Sequence, residues 1–115
     1  MMTEVFSDSM LQAFDAATAP VDQARILPPM LYTSPEFHEF EKRAIFDREW
    51  ICVGRVAQIP EAGDWFQITL VDEPLLVVRE TDDAIRVLSG VCQHRGMLVA
   101  EGKGNTNRFV CPYHH

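Results

Sequence analysis

DWFQITLVDEPLLVVRETDDAIRVLSGVCQHRG, residues 64–96, carries a run of strands and turns that ends in a loop bearing cysteine and histidine. Phe66, Ile68 and Leu70 alternate with Gln67 and Thr69, the two-residue period of a half-buried strand. Asp72-Glu73-Pro74 reads as a turn, Leu75–Arg79 as a buried strand, and Thr81-Asp82-Asp83 as a hairpin connection. Ala84–Leu88 completes a meander that runs straight into Cys92. Upstream, Ile51-Cys52-Val53 opens β structure and Pro60-Glu61-Ala62-Gly63-Asp64 forms a turn; downstream, Arg108-Phe109-Val110 is a short strand. Strands at this spacing predict a mainly β domain over 51–115, a small antiparallel barrel or sandwich.

Before Trp50 the period is helical. Ser34 is placed to cap, Pro35 fits the first helical position, and Glu36 and Glu39 suit the positive end of the dipole. Phe37, Phe40, Ala44 and Ile45 make an apolar stripe opposite Glu39, Lys42, Arg43 and Asp47, so 34–50 is read as a helix covering the sheet. Residues 1–33 read as an extended arm with one short helix, on whose face Val5, Met10, Leu11 and Phe14 would lie.

Chemistry concentrates in two short segments. Cys92-Gln93-His94-Arg95-Gly96 and Cys111-Pro112-Tyr113-His114 each offer one thiolate and one imidazole, and sixteen residues (95–110) separate His94 from Cys111. A Rieske [2Fe–2S] centre needs this asymmetric set, with two Cys on one iron and two His on the other. Loops following neighbouring strands can close on such a cluster like a pincer. Gly96 permits a tight first turn that brings backbone amides near the sulfurs, and Pro112 stiffens the second. Two Cys and two His also suit tetrahedral zinc, but zinc pairs usually leave two to four residues between ligands and Cys-x-His leaves one. Cys52 reads as a buried small hydrophobe, His38 with Glu41 as a solvated charged face, and Arg95 as either a partner contact or ordinary surface. His115 adjoins the ligand set, but the spacing selects His114.

Composition narrows the class. Hydrophobic residues make up 47% and charged residues 23%, as in a globular domain, and the net charge of −7 with only Lys42 and Lys103 as lysines disfavours a nucleic-acid surface. No apolar stretch reaches membrane-spanning length, and the N-terminus lacks the basic start of a secretory signal. Three cysteines do not make a disulfide framework, so a reducing cytoplasm is the expected compartment.

Over residues 26–115 the chain resembles the N-terminal part of the large (α) subunit of Rieske non-haem iron ring-hydroxylating oxygenases. The resemblance runs through Leu27-Pro28-Pro29, Tyr32-Thr33-Ser34-Pro35-Glu36, Ile45-Phe46, Trp50, Val53-Gly54, Pro60, Gly63-Asp64 and both Cys/His segments. It implies a Rieske-type β fold, incomplete at its C-terminal end, with Cys92 and Cys111 as thiolate ligands and His94 and His114 as imidazole ligands through Nδ1. It implies electrons received from a ferredoxin or flavin reductase and passed to a mononuclear Fe(II) in a further domain. There O2 would be activated against an aromatic or related small organic substrate, in a homotrimer or hetero-oligomer. High-potential relatives carry an extra Cys on each loop where this chain has Met97 and Tyr113, which points to the low end of the potential range. A chain ending at His115 is expected to hold its cluster loosely and to lack the oxygen chemistry. A stand-alone Rieske ferredoxin is the rival reading; the arm and the 34–50 helix argue against it. A zinc-stabilised binding module is the third.

Overall fold

The computed structural model describes residues 6–115; Val5, and with it part of the apolar face expected for the arm, lies outside them. The chain divides into two compact units, one ending at Glu49 and the other running from Trp50 to His115.

The first unit is helical. Ser7 Oγ accepts from the Met10 amide (3.3 Å) and starts α1, Asp8–Ala17, within which Met10 is buried. α2, Met30–Thr33, is a single turn, and α3, Pro35–Glu41, begins as the sequence predicts: Ser34 Oγ accepts from the Phe37 amide at 3.1 Å and Pro35 occupies the first turn. The helix over 34–50 is not α throughout. It widens into a π turn at Lys42–Phe46, where the Asp47 amide reaches Lys42 O at 2.9 Å. The Phe6 ring meets Phe14, Phe37 and Phe40 with centroids 5.8, 6.1 and 4.9 Å away, so the arm is stitched to α3 by edge-to-face aromatic contacts.

The second unit is one open antiparallel sheet of β1 (Asp64–Leu70), β2 (Glu73–Arg79), β3 (Ile85–Ser89) and β4 (Lys103–Asn105), in the order β3-β2-β1-β4. The predicted meander is present; the sheet does not close into a barrel. Leu70 pairs with Glu73 and Thr69 with Pro74, so the turn is Val71–Asp72 and Pro74 has entered β2, one step earlier than read from the sequence. Val71 accordingly sits at φ +57°, an uncommon setting for a β-branched residue.

β2 is central and buried on both faces, which its unbroken apolar run allows. On one face Phe66 and Val77 pack with Ile59, flanked by Val53 and Ile68. On the other, Trp65 lies opposite Val78, and the Phe109 ring stands edge-on to Trp65 at 5.4 Å. At the end of β2 the buried Arg79 guanidinium donates from Nε to Ile59 O (2.6 Å) and pairs through an Nη with Asp83 Oδ1 (2.7 Å).

Two expected strands are absent. Residues 51–53 have no ladder partner, and Cys52 is exposed rather than buried, its Sγ 3.8 Å from Gly54 O. Arg108–Val110 is irregular; the paired segment is Lys103–Asn105, whose Gly104 lies opposite Trp65. A Cβ at Gly104 would stand 3.2 Å from Trp65 Nε1, so the bare backbone lets the edge strand approach the indole. Asn105 Nδ2 ties this edge to Asp64 Oδ1 (2.9 Å) and Ala62 O (3.0 Å).

Candidate iron–sulfur site

Both Cys/His segments are tight turns built the same way. In the first, Val91 bridges Leu98, the Cys92 amide donates to Met97 O at 2.8 Å, and the Gly96 amide donates back to Cys92 O at 3.0 Å. Gly96 closes this turn at φ +70°, a conformation that costs glycine nothing. In the second, the His115 amide donates to Cys111 O at 3.0 Å. Each cysteine carbonyl is thus tied off by the amide four residues on, which leaves the intervening side chains on the outside of the turn.

The first loop springs from β3 as expected: Gly90 donates to Pro74 O at 2.7 Å and Val99 to Gly90 O at 2.8 Å, fixing its base to the sheet. No strand feeds the second loop. Phe109, half-buried two residues before Cys111 and held against Trp65, gives it an anchor that the sequence pattern did not reveal. An edge-to-face pair of this kind contributes about 0.5–1.5 kcal/mol beyond its burial.

The four predicted donors come together as like pairs. The Cys111 side chain lies near enough to Cys92 to favour its thiolate, and the His94 and His114 rings lie 4.8 Å apart between centroids. Both cysteines are partly buried while both histidines are exposed, so the sulfur end faces inward and the imidazole end outward. The Cys92 thiol is held below its usual range, first by the His94 amide, then by Cys111, with partial burial opposing and the Arg95 amide adding to the effect. These amides are the donors expected to approach the sulfurs. They favour the thiolate, the form that binds metal. The Tyr113 ring stacks on His114 at 4.1 Å. The resemblance marked Tyr113 only as a place where high-potential relatives carry a cysteine.

His115 Cα is at φ +63°, and its amide rather than its ring serves the turn. His38 Nδ1 lies 3.7 Å from Glu41 Oε2 on an exposed helical face, as read from the sequence.

Among the described residues, no three His, Cys, Asp or Glu side chains converge on a point suited to one metal ion. A tetrahedral ion needs its four donors around a single centre, whereas a two-iron cluster takes a sulfur pair at one end and a nitrogen pair at the other. The residue types present, two Cys and two His, fit the chemistry of the cluster. Over residues 49–115 the sequence matches the Rieske [2Fe-2S] domain family. The chain belongs to that family.

As a Rieske domain it has relatives among oxygenases. It is 34% identical over 118 residues to the glycine betaine monooxygenase oxygenase subunit of Chromohalobacter salexigens, covering 99% of this chain and 26% of that one. The quaternary ammonium Rieske monooxygenase CntA, solved with L-carnitine, superposes with a TM-score of 0.73 at 35% identity over 79% of this chain and 26% of its own. Naphthalene 1,2-dioxygenase from Rhodococcus sp. gives 0.75 at 31% identity, over 94% and 25%. The chain therefore spans about a quarter of the length of these relatives. No helix among the described residues is long and apolar enough to cross a membrane.

Proposed function

We infer that Cys92 and Cys111 hold one iron of a [2Fe–2S] cluster, that His94 and His114 hold the other, and that the chain relays electrons inside a Rieske-type oxygenase. The observation that carries this reading is the sorting of the donors, thiol beside thiol and imidazole beside imidazole. When bound, the cluster accepts and releases one electron. Neutral imidazoles in place of two thiolates ease its reduction, moving the potential from about −400 mV into a range of about −150 to +300 mV. The amides of His94 and Arg95 stabilise negative charge at Cys92, and the exposed imidazoles of His94 and His114 give the electron its way to the surface. Met97 and Tyr113, neither able to form a bridging disulfide, fit the low end of that range.

In this reading the electron comes from a ferredoxin or flavin reductase and goes to a mononuclear Fe(II) held by another domain, where O2 is used to hydroxylate a small organic substrate. The relatives include both mono- and dioxygenases, one acting on glycine betaine and one on naphthalene, so the reading extends to either reaction. A homotrimer or hetero-oligomer in the cytoplasm is part of the same proposal. Free thiols at Cys52, Cys92 and Cys111 accord with a reducing compartment.

The test is to express the protein from its complete open reading frame, load it anaerobically with iron and sulfide, and assay both. Iron and acid-labile sulfide in equal amounts, lost together in Cys92→Ser and in Cys111→Ser, are expected. A colourless protein that takes up zinc alone would contradict the reading.

A further inference from the structure

The two Cys/His turns each present an imidazole, but the two rings are not held alike. The His114 ring meets two others: Tyr113 at 4.1 Å between centroids with the planes 31° apart, and His94 at 4.8 Å and 50°. His94 follows Gln93, which has no aromatic face and whose side-chain amide turns back to donate to Val91 O at 3.3 Å. The second turn permits the stack on His114. Pro112 restricts the backbone just before Tyr113, and the His115 amide closes the turn on Cys111 O at 3.0 Å.

A metal-bound histidine is ordinarily set in its plane by an outer partner, a carboxylate, backbone carbonyl or water that accepts from the second ring nitrogen. Among the described residues neither His94 nor His114 has a side-chain hydrogen bond of that kind. The torsion that turns an imidazole is broad, so a ring without such a partner swings over a wide arc unless a neighbour packs against it. For His114 that neighbour is Tyr113. The Tyr113 side chain is 50% exposed, and its hydroxyl meets no donor or acceptor among the described residues. The face of the ring is therefore the part that acts.

We propose that Tyr113 is a positioning residue for His114, the face of its ring fixing the plane of that imidazole and leaving His94 to itself. The proposal rests on the cluster assignment above and adds the residue that orients one of the two nitrogen donors. A ring already held in one plane has less freedom to lose when the cluster binds, the general benefit of preorganisation. Tyr113 gives up no proton and no electron in this role.

The experiment is nitrogen hyperfine spectroscopy on the reduced, iron-loaded protein from its complete reading frame, with iron release to a chelator timed beside it. Tyr113→Ala is expected to alter the coupling that His114→Ala removes and to leave the His94 coupling as in the parent. It should also speed iron release about three- to tenfold, the weight of one aromatic contact. Tyr113→Phe matches the parent in both measurements, since the hydroxyl plays no part. Tyr113→Leu keeps bulk at the tip without an aromatic face; it behaves as Tyr113→Ala, and it decides the question where the alanine variant does not load. Thermal unfolding of the phenylalanine and leucine variants stays at the parent's midpoint. Couplings unaltered in both the alanine and leucine variants, equal changes at both histidines, or a Tyr113→Phe protein that behaves like Tyr113→Ala overturn the proposal and leave the cluster assignment intact. Loss of the cluster from both the alanine and leucine variants makes the ring a general support of the turn and also overturns it. A parent protein that takes up no iron and sulfide overturns both.

Discussion

Arg79→Met is the perturbation whose cost the structure defines most sharply. The guanidinium is 8% exposed as a residue, yet it serves two very different partners. Nε donates to the carbonyl of Ile59, itself 1% exposed and part of the core with Phe66 and Val77. The Nη group pairs with Asp83, whose side chain is 85% exposed. Methionine fills much of the same volume but donates nothing, so the Ile59 carbonyl loses its charged donor inside the protein. A buried acceptor left in that state costs about 1–3 kcal/mol, and loss of a hydrogen bond from a charged group lies in the same range, so a total of about 2–4 kcal/mol is expected. The Asp83 carboxylate returns to water, and its carbonyl loses a longer bond from the same Nη (3.2 Å). The control is therefore Asp83→Asn, which keeps a residue tolerant of φ +65° and should cost under about 1 kcal/mol, as exposed ion pairs do. Equilibrium urea unfolding followed by far-ultraviolet circular dichroism measures both, with unchanged m-values as the condition for comparing them. Equal losses in the two variants, or a loss below about 0.5 kcal/mol in Arg79→Met, would refute the argument that the carbonyl cap rather than the ion pair is what matters.

Phe109→Ala removes the ring that holds the approach to Cys111 against Trp65; a loss of about 1–3 kcal/mol is expected with a lower iron content at saturating iron, whereas Phe109→Leu should retain most of both. Gly54→Ala places a methyl where Phe66 Cζ would stand 2.7 Å and Gln58 Oε1 2.9 Å away, so thermal unfolding should show a loss of about 1–3 kcal/mol; a neutral result would mean that the Phe66 ring moves freely. Asp64 is held below the usual carboxylate range, chiefly by the Asn105 side chain and then by the Glu61 amide. Its folded value is the depressed one, so its contribution is complete above the unfolded value of about 3.9 and fades as pH falls through the folded value. Acid titration of Asp64→Asn should show a shallower decline in that window, and curves that run parallel to the parent's would remove Asp64 as a cause.

What could be read from the sequence followed from periodicity and from chemistry that acts locally. The alternation of Phe66, Ile68 and Leu70 and the unbroken run from Leu75 gave β1 and β2 because burial alone decides those positions. Ser34 and Pro35 announced α3 because a cap and a first-turn proline act within a few residues. The family was legible in the two Cys/His segments because their spacing is itself local. The misreadings are where a partner decides. Ile51-Cys52-Val53 has strand-like residues but no neighbour to pair with, while Lys103-Gly104-Asn105 has poor strand formers and pairs because Trp65 needs a bare backbone beside it and Asn105 caps Asp64. Likewise nothing near Phe109 foretold Trp65, more than forty residues earlier, as the support of the second loop.

In the proposed function two imidazoles, not one and not none, share an iron at the outer end of the cluster. Nitrogen hyperfine spectroscopy on the reduced, iron-loaded protein reads this directly. Two coupled histidine nitrogens are expected, with one lost in His94→Ala and one in His114→Ala. A spectrum with fewer than two, or one that neither substitution alters, would contradict the account.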